Sequence, residues 1–375
     1  MHTAPEKTSE SSLKKSKDQV SLWAYRACLL AVLASLVPWV LFRFAAPTQY
    51  RGTFHLVTMI QGFFSLLLFL QVAYLPLAKA PSWERFLAPA AIFGFFIFYL
   101  CVWFKNLLPH NITMAIAMGI WLAIFWVVIL SLKLRLKNDA RAGMFFWLWV
   151  YLGLFFGHFG VGLTSLYVTL NELQVASPHW LLLVGRGFLF QADFLALGIA
   201  FFVLKFGLKN IGAQLAIAAS LTVSFPLEEF VSPALGFGVR ALGILMVVLI
   251  FAKPLKSSGP GRKSQPVEGR TLLTALGFIL LGYCTVAIHP QYRLGGLHMV
   301  FLGGFLPVAL LQLRPTNNLQ RSLAFGFLHM AIVARFLCEV FSSYYPDLLL
   351  VSVILLAFSA GSWLWNPAQG KPNEG

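Results

Sequence analysis

Apolar runs of about 18–26 residues recur along the whole chain, near 22–46, 54–78, 87–104, 112–132, 144–168, 180–204, 211–227, 230–252, 271–289, 294–313, 322–341 and 348–365. Such a run is as long as a helix must be to cross roughly 30 Å of hydrocarbon. In that medium the backbone can satisfy its N–H and C=O groups only inside a helix or a closed barrel. The pattern therefore predicts an all-α fold, a polytopic transmembrane bundle of about 12 helices. Its least separated pair lies in 180–227, where only KFGLKN stands between two runs.

Composition agrees with that reading, because 59% of the residues are hydrophobic and 11% charged, too few to cover a water-soluble core. The polar, basic residues 1–20 precede the first run, which has no small-residue cleavage site, so they read as a cytoplasmic tail and not a removed leader. Residues 21–366 form one transmembrane domain, interrupted by the Gly-, Pro- and Ser-rich cytoplasmic linker 253–270 and followed by a tail at 367–375.

Basic residues test the helix count. Of the 28 Lys and Arg, 20 fall in the loops on the N-terminal side, four (Arg43, Arg51, Lys105, Arg293) on the opposite side, and Arg26, Arg186, Arg240 and Arg335 inside helices. The positive-inside rule then places both termini in the cytoplasm, since an omitted helix would reverse the bias beyond it. The same placement explains the formal charge of +15 without nucleic acid; the partner it implies is the lipid bilayer. Cys28, Cys101, Cys284 and Cys338 stand singly in apolar runs, a pattern for inert buried thiols and not for disulfides or a thiolate metal site.

Ionisable groups inside membrane helices usually face the bundle interior, so each marks a candidate site. The topology brings His55, His158, His298 and His329 to similar depth, nearer the outer face. Neutral imidazole ligates haem iron and copper, and helix bundles build such sites from inward-facing side chains. Glycines surround two of these histidines, in GLFFGHFGVG about His158 and RLGGLHMVFLGG about His298. They either leave room for a flat cofactor or let helices approach closely. His55 and Met59 share a helix face, where imidazole and thioether suit Cu(I), unless Met59 is simply core.

Arg335 and Glu339, four apart, can neutralise one another, or Arg335 can meet a haem propionate or an anionic substrate. Arg186 and Asp193 form a second candidate pair, with Gln191 free to bond a neighbouring helix. Glu228 and Glu229 are expected in solvent beside an outer loop, as are His110, His179 and His289 beside prolines, and His2 in the tail. Pro307 is expected to kink the His298 helix. No nucleophile with a base at recognisable spacing, and no hydrolytic carboxylate pair, is present, so no catalytic residue is assigned.

Four stretches, HLVTMIQGFF (55–64), GRGFLFQADFLALGIAFF (185–202), GGLHMVFLGGF (295–305) and FGFLHMAIVARFL (325–337), together resemble the NnrS family. These are haem- and copper-containing membrane proteins linked to the nitric oxide response and denitrification. The family's early HxHE motif before Gly-Phe puts its first histidine at His55, with Val57 and Thr58 where the second histidine and the glutamate would stand. The late LH motif corresponds to His298. The family's loop histidine after that helix has no counterpart in LQLRPTNNLQ.

The resemblance implies a multi-pass protein of the bacterial inner membrane that holds haem, and copper with it, and meets nitric oxide as a small gaseous ligand. His55 and His298 are then the preferred axial ligands, with His158 and His329 in reserve, Arg335 beside the cofactor, and His55, Met59 and His298 as the metal set. The competing readings are a cofactor-free transporter or permease using buried Arg, Asp and Glu, and a structural partner of a membrane complex.

Overall fold

The structure is a computed structural model that describes residues 144–185, 187–188, 211–257, 266–307 and 318–364, with a few helical positions between 30 and 133. Among these residues there is no strand; the described part is all-helical. Its helices are α1 (Met144–Glu172), α2 (Ile211–Phe230), α3 (Pro233–Ser257), α4 (Pro266–Ile288), α5 (Arg293–His298), α6 (Asn318–Val340) and α7 (Tyr345–Leu364). A further helical stretch covers 179–185. Two spans, Leu319–Val340 and Ser342–Leu364, are long and apolar enough to cross a bilayer, and only 39% of each is buried inside the protein, which leaves most of their surface facing outward.

Chain reversals are set by local chemistry. α1 ends with Gln174 at φ 56°, in the left-handed region. The Val175 N–H then reaches back to the Leu170 carbonyl at 2.9 Å, so the helix closes on itself before Pro178 starts the next turn of helix. Between α2 and α3 only Val231 and Ser232 intervene. Both donate their N–H groups to the Leu227 carbonyl, at 3.1 and 2.8 Å. The Ser232 hydroxyl accepts the Leu235 N–H at 3.2 Å, and Pro233 opens the helix, so a serine N-cap and a first-turn proline fix the hairpin.

α2 packs on α3, α3 on α4, α4 on α5 and the segment after it, and α5 on α6, which pairs with α7. The core between them is carried by Phe237, Leu276, Ile279 and Leu328, all fully buried. On α3 the exposed Leu235, Leu242 and Leu249 recur every seven residues and form an outward apolar stripe, as hydrocarbon requires and water does not favour.

α6 and α7 are joined across their interface by small polar side chains. Ser352 donates to the Ala331 carbonyl and Ser359 to the Ala324 carbonyl, each at 2.8 Å. Gln320 donates to the Ser362 carbonyl. Such bonds are the usual substitute for the hydrophobic effect between helices in lipid.

Helix ends differ from the sequence expectation in two places. α2 continues past Pro226 to Phe230, so Glu228 and Glu229 ride on the helix and not in a loop. The linker expected over 253–270 is helical at both ends, since α3 runs to Ser257 and α4 begins at Pro266, where proline's fixed φ suits the first helical position.

Between α4 and Pro307 the chain passes through different types of helix. Pro290–Tyr292 is a 3-10 turn, α5 follows, and Met299–Phe305 is π-helical. The Leu306 N–H bonds to the Phe301 carbonyl, five residues back. The next residue, Pro307, has no N–H to give and its ring crowds the carbonyl four residues before it. Widening the turn just ahead of the proline accommodates both demands. The disturbance expected at Pro307 is thus expressed as a π-segment upstream of it.

Candidate functional site

α2 presents Ser220, Ser224 and Glu228 on one face, four residues apart. α3 lies against that face because Gly236 has no side chain. A Cβ there would come within 2.5 Å of the Glu228 Cβ and 2.6 Å of the Ser224 carbonyl oxygen. One turn further along α3, Arg240 faces the same stripe.

Arg240 donates from Nη2 to Glu228 Oε2 at 2.5 Å and from Nε to the Ser224 hydroxyl at 2.8 Å. That hydroxyl in turn donates to the Leu221 carbonyl at 2.8 Å. The second carboxylate oxygen, Oε1, is paired with Arg293 at the start of α5. Glu229 Oε1 lies 3.9 Å from the same guanidinium. Arg240 also sits over the Phe237 ring, 4.5 Å from its centroid, and Tyr283 of α4 closes the side at 5.9 Å from that ring.

Three helices thus converge on one carboxylate. Glu228 and Arg240 are 4% and 8% exposed, whereas Arg293 is 48% exposed. The expectation that Glu228 is solvated is therefore corrected. An uncompensated carboxylate would not survive at that depth, and its two arginines supply the compensation. The sequence did carry a signal: the Ser-Ser-Glu spacing on one apolar run, and a lone arginine in the next that needs a counter-charge.

A second charged pair lies on the far side of α5. Arg335 Nη1 and Glu339 Oε1 are 3.2 Å apart, four residues apart on α6, as the spacing predicts. Arg335 also lies 5.8 Å from the centre of the Tyr345 ring. Gly295 of α5 abuts this pair; a Cβ there would stand 3.2 Å from Glu339 Oε2.

Of the four candidate histidines, His55 lies outside the described residues, as does Met59, and so do Arg186, Gln191 and Asp193. His158 on α1 is exposed, and its Nε2 accepts a hydrogen bond from the Trp126 indole at 3.1 Å. That use of the lone pair competes with metal ligation. His298 and His329 are arranged alike. Nδ1 of His298 lies 2.7 Å from the Leu294 carbonyl, and Nδ1 of His329 lies 2.6 Å from the Phe325 carbonyl.

A carbonyl can only accept, so Nδ1 carries the proton in both rings and Nε2 of the neutral imidazole holds the lone pair. His329 Nε2 is buried with no hydrogen-bond partner among the described residues, and its ring packs 5.1 Å from Phe278. His289 and His179 are exposed, as expected. No group of three or more His, Cys, Asp or Glu that could hold a metal occurs among the described residues.

The glycines near His298 are filled by α4. Cβ atoms at Gly296 and Gly303 would run into Val286 and Gly282, and into Phe278, respectively. At these two positions the close-packing reading holds, and the room expected for a flat cofactor is taken up by a neighbouring helix. Cys338 is buried and Cys284 half-buried, both free thiols.

The fold and site define an all-helical bundle with membrane-length helices and a buried ionic layer. Compared with protein-family models, curated proteins and solved structures, the chain matches none.

Proposed function

We propose that the chain is a multi-pass protein of the bacterial inner membrane, with about 12 spans and both termini cytoplasmic, that holds a haem through His329 and His298. The observation that carries the reading is the half-buried His329 ring, with Nδ1 tied to a carbonyl and its buried Nε2 unpartnered among the described residues. Metal-bound histidines are usually oriented in this way, by a hydrogen bond from the other ring nitrogen to a backbone carbonyl.

His298 has the same Nδ1 arrangement. Arg335 is the nearby cation for an acidic cofactor edge, at the cost of its pairing with Glu339. His55 and Met59 complete the proposed set, with copper as the second metal they would suit. When bound, ferrous haem supplies an iron that takes a small diatomic ligand such as nitric oxide. The nitric oxide response itself rests on the resemblance of the four quoted stretches to the NnrS family.

The test is the absorption spectrum of detergent-purified protein, oxidised and reduced, with metal counted on the same sample. A Soret band that shifts on reduction, is lost in His329→Ala or His298→Ala and persists in His158→Ala supports the assignment. A folded, colourless, metal-free protein removes it.

A cofactor-free transporter is the second reading, favoured by the buried layer of Glu228, Arg240, Arg335 and Glu339. Charges at such depth often line solute or proton paths. Solute uptake into vesicles by colourless protein, abolished in Arg335→Gln, would decide for it.

A further inference from the structure

α5 is held on one side by an ion pair and on the other by close packing. Its first residue, Arg293, reaches Glu228 on α2, and two residues later Gly295 rests on Phe336 and Glu339 of α6. Only six residues long, α5 is flanked by a 3-10 turn and a π-helical segment, so the backbone on both sides departs from the α-helical hydrogen-bond register. The Met299 N–H is shared between the carbonyls of Gly295 and Gly296, four and three residues back, whereas by Leu306 the bond runs five residues back to Phe301. π-helical turns are rare and are found frequently at functional sites.

The two ion pairs of Glu228 are unequal. Arg240 is buried, tied to Ser224 as well, and stacked on Phe237. Arg293 is half-exposed, and its guanidinium lies 6.0 Å from the Phe237 centroid. Releasing Arg293 leaves Glu228 still neutralised by Arg240 and lets the freed guanidinium be hydrated, so that contact is the one that can open.

We propose that the Arg293–Glu228 pair is a latch that holds α5 against the α2–α3 hairpin. Its release lets the segment Pro290–Phe305 change hydrogen-bond register. Because this segment carries His298, the latch sets the position of that imidazole. The inference does not depend on a bound cofactor and would hold equally in a transporter.

Hydrogen–deuterium exchange by mass spectrometry on the purified full chain tests it. In Arg293→Gln, peptides covering 289–306 should exchange roughly tenfold faster, while those covering 319–364 stay within about twofold of the parent. Arg293→Lys, which keeps the charge but not the fork, should fall between the two. The latch is wrong if 289–306 exchanges at the parent rate in Arg293→Gln, or if 211–257 and 319–364 accelerate equally, because the pair is then either idle or a general structural contact.

Discussion

At the scale of single residues, Glu228 shows how a charge is made tolerable in an apolar bundle. Its carboxylate is matched by one buried and one half-exposed arginine, and the geometry predicts that these are not equivalent. Arg240→Ala should destabilise the protein by about 3 kcal/mol in detergent unfolding, since it leaves the buried carboxylate only the half-exposed Arg293 as counter-charge and leaves Ser224 without its donor. The joint replacement Arg240→Leu with Glu228→Met should recover most of that loss, because Arg293 can turn to water. A double mutant as unstable as Arg240→Ala would mean the ion pair itself stabilises the fold.

Glycine positions give a second contrast. Gly236→Ala should cost about 2 kcal/mol, because its Cβ meets backbone and Cβ atoms of α2 that cannot swing aside. Gly326→Ala, with nothing among the described residues within 4 Å of the added carbon, should be neutral or stabilising by up to about 1 kcal/mol. Thermal unfolding of the two variants side by side reads the difference.

At the scale of elements, boundaries were legible wherever a helix begins or ends with distinctive chemistry. Ser232-Pro233 announces α3, and the apolar runs at 230–252, 322–341 and 348–365 fall within a few residues of α3, α6 and α7. The run at 211–227 stops three residues short of the end of α2 because Glu228 and Glu229 break its apolar character, whereas the α2–α3 hairpin keeps the last turn helical to Phe230. The π-segment was signalled only as a kink at Pro307. Which turn would widen depends on the carbonyls crowded by the proline ring and on how Gly303 and Gly304 seat against α4.

The α6–α7 pair carries a prediction of its own. Ser352→Ala and Ser359→Ala should each weaken it by about 0.6 kcal/mol, the typical worth of an interhelical hydrogen bond in a membrane protein. Their sites lie seven residues apart on α7. The losses should therefore add in the double mutant when unfolding in denaturing detergent is followed.

At the scale of the whole molecule, the alternation of basic and non-basic loops makes a test of the proposed topology. A cysteine at position 289, on the connection between α4 and α5, should react with a membrane-impermeant thiol reagent from outside the cell. One placed in 258–265 should react only after the membrane is opened. The reverse pattern would invert the topology.

The sequence by itself determined that the described part is helical and that Leu319–Val340 and Ser342–Leu364 are long and apolar enough to cross a bilayer, because the length and polarity of each run act locally and need no knowledge of neighbours. It also placed His298, His329, Arg335 and Glu339 in apolar runs, and made an Arg335–Glu339 pair one of two readings, since four-residue spacing on a helix is a local fact. Only the tertiary structure decided that Glu228 belongs to Arg240 and Arg293, that Trp126 engages His158, and that α4 fills the glycines beside His298. Each of these contacts joins different helices, and which faces meet is fixed by packing across the bundle and not by the order of residues along any one helix.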